Sequence, residues 1–199
     1  MSGGPDVDVD ARNGRGGGDG ATYVCFLRGI NVGGNSIVSM AALKATFIRV
    51  GLTDVRTFIN SGNVIFSAEK DSAGALARRI ETAIRDDLGM TIPCLVLSAT
   101  AFQALADAIP QDWSEGDTHR CNVLLLWAEV DTPSVLEQLP IQPTVDEVLY
   151  VPGAVLWRYA RANASRSRLN RLVGTDLYKK MSIRNTNTIR RIEEIVGAR

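Results

Sequence analysis

The chain has 199 residues, 45% of them hydrophobic and 22% charged, and its 22 basic and 22 acidic residues give a formal net charge of zero. This composition is typical of a globular protein with one sizeable core or two small intertwined ones. It contains no apolar run of about 18 residues, which excludes a membrane-spanning helix. The single histidine, His119, gives little support to a metal site or a histidine-based catalytic triad.

Residues 1–20 are rich in glycine and aspartate and hold almost no large apolar side chain. Such a segment cannot bury enough surface to offset its chain entropy, so we expect a disordered tail. It also lacks the apolar segment of a secretory signal.

The first half of the remaining chain, residues 21–99, predicts a β-α-β-β-α-β order. Strands are expected over 22–27, 54–59, 63–67 and 92–97, with helices over 40–50 and from residue 72 to 88. Ser39 can cap the first helix, and Gly89 can end the second. Asn60-Ser61-Gly62 predicts a hairpin turn between the second and third strands. This order is typical of a ferredoxin-like unit.

The second half, residues 100–199, predicts a similar order with extra helices. Strands are expected over 121–127, 145–150 and 154–159, and the first of these is nearly all apolar and therefore central. Helices are expected over 100–109, from a cap at Thr132 to Pro140, over 165–173 and over 187–196. We therefore expect an α+β protein in which two ferredoxin-like halves share one core.

The three cysteines, Cys25, Cys94 and Cys121, each lie within an apolar, strand-like run. An odd number of cysteines in such positions predicts buried free thiols in a reducing cytoplasm, and not a disulfide framework.

Charge is unevenly distributed along the chain. Residues 158–199 carry a net charge of +8, and the preceding residues carry −8. A basic segment on a neutral protein indicates a local attraction for polyanions, although arginines also commonly serve only to solvate helix faces. The residues of this predicted basic patch are Arg158, Arg161, Arg166, Arg168, Arg171, Lys179 and Lys180.

A polar, glycine-rich loop follows the first strand, with the sequence Arg28-Gly29-Ile30-Asn31-Val32-Gly33-Gly34-Asn35. It leads into a helix, where unpaired amides and the helix dipole favour an anion. Its glycine spacing matches neither the dinucleotide-binding nor the P-loop pattern. The glycines could alternatively only permit positive φ angles, but a connection of this length is often functional.

Two further polar segments accompany this loop. Ser61-Gly62-Asn63 lies in the predicted hairpin, and Arg184-Asn185-Thr186-Asn187-Thr188 leads into the last helix. Helix capping would need only one of these side chains. An arginine beside free helix amides offers a planar donor fork that suits phosphate or carboxylate.

Together these three motifs resemble the bacterial domain-of-unknown-function 1697 family, with matching order and spacing over residues 23–196. The resemblance implies an α+β fold of two intertwined ferredoxin-like subdomains and brings no established activity. This chain has Asn35-Ser36 where the family usually has a lysine after the glycine pair. It also has Thr186 where the family usually has a tryptophan, so a base-stacking platform there would be absent.

The leading hypothesis is that a phosphate-bearing ligand, either a nucleotide or a nucleic-acid backbone, binds where these motifs gather. The alternatives are a metal-independent enzyme acting on a small phosphorylated substrate and a scaffold or oligomerisation module whose motifs only lock loops together. No cofactor or membrane partner is expected, and the choice between monomer and dimer is open. The predicted ligand-binding residues are Arg28, Gly29, Asn31, Gly33, Gly34, Asn35, Ser61, Asn63, Arg184, Asn185 and Asn187.

Overall fold

A computed structural model describes residues 20–31, 37–60 and 62–198 of the chain. The first half forms β1 (Gly20–Leu27), α1 (Met40–Arg49), β2 (Thr53–Phe58), β3 (Asn63–Glu69), α2 (Ala73–Leu88) and β4 (Cys94–Ser98). Ser39 caps α1 by accepting a hydrogen bond from the Ala42 amide, and Gly89 ends α2 in the left-handed conformation. The predicted order of the first half is therefore observed.

The second half begins with α3 (Ala99–Asp107) and β5 (His119–Leu126). It continues through β6 (Asp146–Val151), β7 (Ala154–Ala160), α4 (Asp176–Lys179), β8 (Met181–Asn185) and α5 (Thr186–Gly197). Four short 3-10 helices lie between these elements, over Ala128–Val130, Pro133–Gln138, Arg161–Asn163 and Leu169–Leu172.

The strands form two antiparallel, four-stranded sheets with the same internal order. Sheet 1 has the order β2-β3-β1-β4, and sheet 2 has the order β6-β7-β5-β8. In each sheet the first strand of its half is central, and the last strand forms an edge. The molecule is thus a mixed α+β fold whose two halves arrange their strands alike.

Side chains along the central strands alternate between the two faces of each sheet, and this alternation explains the layers of the molecule. Tyr23, Cys25 and Leu27 pack on one side of β1 against α1 and α2, whereas Val24 and Phe26 face a second cluster on the other side. A strand buried on both faces is expected to be apolar, as β1 is over its buried residues 23–27.

The second cluster joins the two sheets. It contains Val24 and Phe26 of sheet 1, Val123 of sheet 2, and residues of α3 and α5 such as Phe102 and Ile189. Sheet 2 buries its opposite face beneath the 3-10 helices, in a cluster that surrounds the fully buried Trp157. Each sheet therefore depends on the middle layer to cover one of its faces.

Several sequence predictions were wrong in the second half. The helix predicted over residues 165–173 is only the 3-10 turn Leu169–Leu172, because Leu169 and Leu172 supply one buried turn and Gly174 then takes a positive φ. Thr132 makes no side-chain cap, and a 3-10 helix follows it. Strand β8 was not predicted, because its inward residues Ser182 and Arg184 are polar.

Cys25, Cys94 and Cys121 are buried and free, as predicted. A hydrogen bond with Cys25 and burial both raise the pKa of the Cys94 thiol well above its ordinary value. The predicted tail lies outside the described residues except for Gly20, which is the first residue of β1. No helix within the described ranges is long and apolar enough to cross a bilayer.

Candidate functional site

Arg184 is the centre on which the sequence motifs converge. Its Nε donates to Asn63 Oδ1 at 2.6 Å, and its Nη1 donates to Ser182 Oγ at 2.9 Å and to the Ile183 carbonyl at 2.8 Å. Its Nη2 donates to the carbonyls of Leu27 at 2.9 Å and Gly62 at 3.4 Å. An arginine has five N–H donors, and acceptors of this protein take all five.

The Arg184 side chain is only 8% exposed and lies over the Phe26 ring, with the guanidinium carbon 5.6 Å from the ring centroid. Burial lowers the pKa of the Arg184 guanidinium to about 10, which still leaves it charged at pH 7. The guanidinium therefore joins sheet 2 to the turns of sheet 1 and presents no free N–H to an anion.

Arg28 reaches the same edge strand from the opposite sheet. Its Nε donates to the Met181 carbonyl at 3.2 Å, and its guanidinium lies 4.9 Å from the centroid of the Tyr178 ring. No partner among the described residues takes its two terminal nitrogen atoms. Arg28 is half-buried.

Both arginines cover the outer edge of sheet 2. The amide of Trp127 bonds to the Lys180 carbonyl at 3.0 Å, and this register turns the backbone groups of Met181 and Ile183 away from β5. Unpaired groups on an edge strand invite pairing with another chain. We call Arg28 and Arg184 the arginine clasp, because they bond these two outward carbonyls and hold β8 against sheet 1.

Asn31 and Asn63 are bound within the protein as well. Asn31, at φ +54°, bonds both backbone groups of Val38 and the carbonyl of Asn60, which joins the segment after β1 to the residues before α1 and to the turn after β2. Asn63 is fully buried and donates to the Phe58 carbonyl at 3.0 Å while accepting from Arg184. These contacts stabilise the segment after β1 and the turn before β3, next to the arginine clasp.

The polar residues at the start of α5 have local roles. Asn185 is its N-cap and accepts from the Thr188 amide at 2.8 Å, and Asn187 donates to the Glu115 carbonyl at 2.8 Å. Gly29 is exposed and has a φ of +72°. The remaining predicted ligand residues, Gly33, Gly34, Asn35 and Ser61, lie outside the described residues.

The structure divides the predicted basic patch into two groups. Arg158 binds Asp112 and Glu147, and its hydrogen bond holds the pKa of the Asp112 carboxyl below its ordinary value. Arg161 binds Glu115, and Lys179 binds Asp176. In the described part of the chain, Arg166, Arg168, Arg171 and Lys180 are exposed and form no ion pair with a carboxylate.

Sequence reasoning missed a cavity of about 470 Å³ beside β4, the outer edge of sheet 1. Its lining includes Arg78 and Glu81 of α2, the backbone of β4, and Trp127, Glu129 and Asp131 after β5. These residues belong to no motif and lie far apart in the chain, so nothing in the sequence predicts their meeting. In the residues that the structure covers, no group of three or more histidine, cysteine, aspartate or glutamate side chains could hold a metal ion.

Comparison with known proteins agrees with this fold. A family model described as "Protein of unknown function (DUF1697)" matches residues 21–157, which include the first two motifs but not the segment around Arg184. The conserved bacterial protein SP0830 from Streptococcus pneumoniae has a similar solved structure, with a TM-score of 0.76 and 25% sequence identity. The match covers 89% of this chain and 99% of that protein. No curated protein matches the chain.

Proposed function

We propose that this chain, which belongs to the DUF1697 family of proteins of unknown function, binds a phosphate-bearing polyanion of the nucleic-acid class. The proposed contact surface, which we call the basic segment, comprises residues 166–180 together with Arg28. The observation that carries the proposal is that Arg166, Arg168, Arg171 and Lys180 are exposed without a carboxylate partner among the described residues. Such unneutralised positive charge attracts phosphate backbones.

Packing supports this orientation of the basic segment. Leu169 and Leu172 are buried against sheet 2, and Leu177 and Tyr178 pack beside them in the same cluster. Because the apolar side chains anchor the segment, its basic side chains extend into solvent. Tyr178 also contacts Arg28, which brings to the same segment a guanidinium whose terminal nitrogen atoms have no partner among the described residues.

Hydrogen bonds within the protein reduce the number of predicted ligand-binding residues that have donors left for an anion. The donors of Arg184, Asn31 and Asn63 contact protein acceptors, whereas the terminal nitrogen atoms of Arg28 have no partner among the described residues and suit an anion. This arrangement supports electrostatic binding along a surface more than the alternative of an enzyme that holds a small phosphorylated substrate at Arg184. A scaffold without a ligand is the outcome that remains if no polyanion binds.

We further infer that residues 21–99 and 100–199 are two intertwined ferredoxin-like subdomains. The β-α-β-β-α-β order of the first half and the identical strand orders of the two sheets support this inference. The three buried, free thiols support a reducing compartment such as the bacterial cytoplasm.

The test is fluorescence anisotropy of labelled single-stranded DNA and RNA, titrated with the protein at several KCl concentrations. The triple variant Arg168→Ala, Arg171→Ala and Lys180→Ala should bind more weakly. Each lost phosphate contact should reduce the slope of log K against log salt by about 0.7.

A matched triple variant serves as the control, with Lys44→Ala, Arg56→Ala and Lys70→Ala. These residues are also exposed and basic, but they belong to the first half of the chain. The control should retain wild-type affinity and salt dependence. Equal losses in both triple variants, or no binding by the wild-type protein at low salt, would overturn the proposal.

A further inference from the structure

The two sheets use equivalent hydrogen bonds where their central strands end. The amide of Arg28, directly after β1, bonds to the Pro93 carbonyl at 3.0 Å, and the amide of Trp127, directly after β5, bonds to the Lys180 carbonyl at 3.0 Å. Pro93 directly precedes β4, and Lys180 directly precedes β8. Trp127 therefore occupies in sheet 2 the position that Arg28 occupies in sheet 1.

The same equivalence relates the two edge strands. Cys94 and Val96 of β4 correspond to Met181 and Ile183 of β8, and their backbone groups also point away from the sheet. The Cys94 amide confirms this direction by donating to Glu81 Oε1 at 2.8 Å. On β8 the outward carbonyls accept hydrogen bonds from guanidinium groups. Among the described residues, no donor is bonded to the outward carbonyls of Cys94 and Val96.

These two carbonyls belong to the strand that lines the 470 Å³ cavity. The small residues Ala73, Gly74 and Ala77 of α2 form one wall and leave the space open. The segment after β5 forms the facing wall and contributes the half-buried Trp127. A cavity of this size accommodates a small molecule.

The charge of the lining favours a cation. Three carboxylates, Glu81, Glu129 and Asp131, oppose the single arginine Arg78. Asp131 Oδ1 accepts hydrogen bonds from the Tyr150 hydroxyl at 3.0 Å and the Gly153 amide at 2.8 Å, which fixes its carboxylate at the cavity wall. Glu129 is exposed and has no hydrogen bond or ion pair within the described part of the chain.

We propose that this cavity binds a small guanidinium-bearing molecule. The guanidinium donates to the outward carbonyls of Cys94 and Val96, as the arginine clasp does to the equivalent carbonyls of β8. Trp127 offers the aromatic face that Tyr178 offers to Arg28, and Glu129 balances the charge. The site is separate from the basic segment and does not depend on polyanion binding.

The experiment is isothermal titration of the full-length protein with L-argininamide and with L-citrullinamide. The second compound replaces the guanidinium by a neutral ureido group of nearly the same shape and retains the α-amine. Argininamide should bind at millimolar or lower concentration, and citrullinamide should bind at least about ten-fold more weakly, because a charged donor forms the stronger hydrogen bonds. Equal affinities, or no heat with argininamide up to about 10 mM, would overturn the proposal.

Variants test the assigned residues. Glu129→Gln and Trp127→Leu should each weaken argininamide binding at least about five-fold. Glu137→Gln removes an exposed carboxylate outside the cavity and should leave binding unchanged. Wild-type affinity in both cavity variants, or an equal loss in the Glu137 control, would refute the assignment. Circular dichroism of each variant establishes that it is folded.

Discussion

Arg184 shows why one side chain can suggest a ligand from sequence and act as a structural element in the fold. The planar fork that suits phosphate also suits a group of carbonyls and amide oxygens, and its partners Asn63 and Leu27 lie 121 and 157 residues away in the chain. No local pattern distinguishes these two uses. The polar motifs could therefore be recognised from sequence, but their use as contacts within the protein could not.

Replacing Arg184 should destabilise the protein strongly. Arg184→Ala leaves several buried acceptors without donors, so the free energy of unfolding should fall by about 3 kcal/mol or more. Arg184→Lys should also destabilise, because an ammonium group cannot reproduce the fork. Urea denaturation measures both changes.

Arg85→Ala provides the control for this measurement. Arg85 is an exposed arginine of α2 whose nearest ion pair, with Asp86, is 3.9 Å long. This variant should stay within about 0.5 kcal/mol of wild type. Similar small losses in the Arg85 and Arg184 variants would show that the clasp does not stabilise the fold.

At the scale of elements, the sequence predicted strands and helices wherever apolar residues repeat with a clear period. The stripe Leu76, Ile80 and Ile84 of α2 is an example, and all three residues are buried. Strand β8 departs from this pattern because Ser182 and Arg184 occupy its inward positions and bond to each other. A buried polar pair appears in sequence as a surface loop, and the strand was missed for that reason.

The turn between β2 and β3 gives a prediction at this scale. A Cβ on Gly62 would lie 2.7 Å from Ile30 Cδ1 and 2.8 Å from Leu27 Cβ, and the residue has a φ of +77°. In Gly62→Ala the new Cβ would overlap the core and the residue would also bear the cost of a positive φ. The free energy of unfolding should therefore fall by about 3 kcal/mol or more.

Gly29 offers the matched comparison, because its φ is +72° but a Cβ at this position would have no neighbouring atom of the described residues within 4 Å. Gly29→Ala should lower the free energy of unfolding only by the cost of the positive φ, about 1–2 kcal/mol. Thermal and urea unfolding of both variants would separate the cost of the positive φ from the cost of the overlap with the core. A Gly29→Ala loss as large as that of Gly62→Ala would contradict the role of the close packing.

At the scale of the whole molecule, the middle cluster makes the two sheets interdependent. Fragments divided between Ser98 and Ala99 would each expose an apolar face, with Phe26 on the first and Val123 on the second. We expect each fragment alone to bind a hydrophobic dye and to lack a cooperative unfolding transition, whereas co-expressed fragments should associate. Cooperative unfolding of either isolated fragment, followed by circular dichroism, would contradict this expectation.

The long separation in sequence between Arg184 and its partners also has a consequence for biosynthesis. The ribosome makes β1 and the turn at Gly62 first, and the arginine that bonds them follows 121 residues after Asn63. At about 5–20 residues per second, this interval lasts roughly 6–24 s. During that time the nascent chain can form β1, β2 and β3, but their acceptors lack this donor. These contacts can form only after β8 has been made, so premature termination before β8 yields a product that quality-control proteases can recognise.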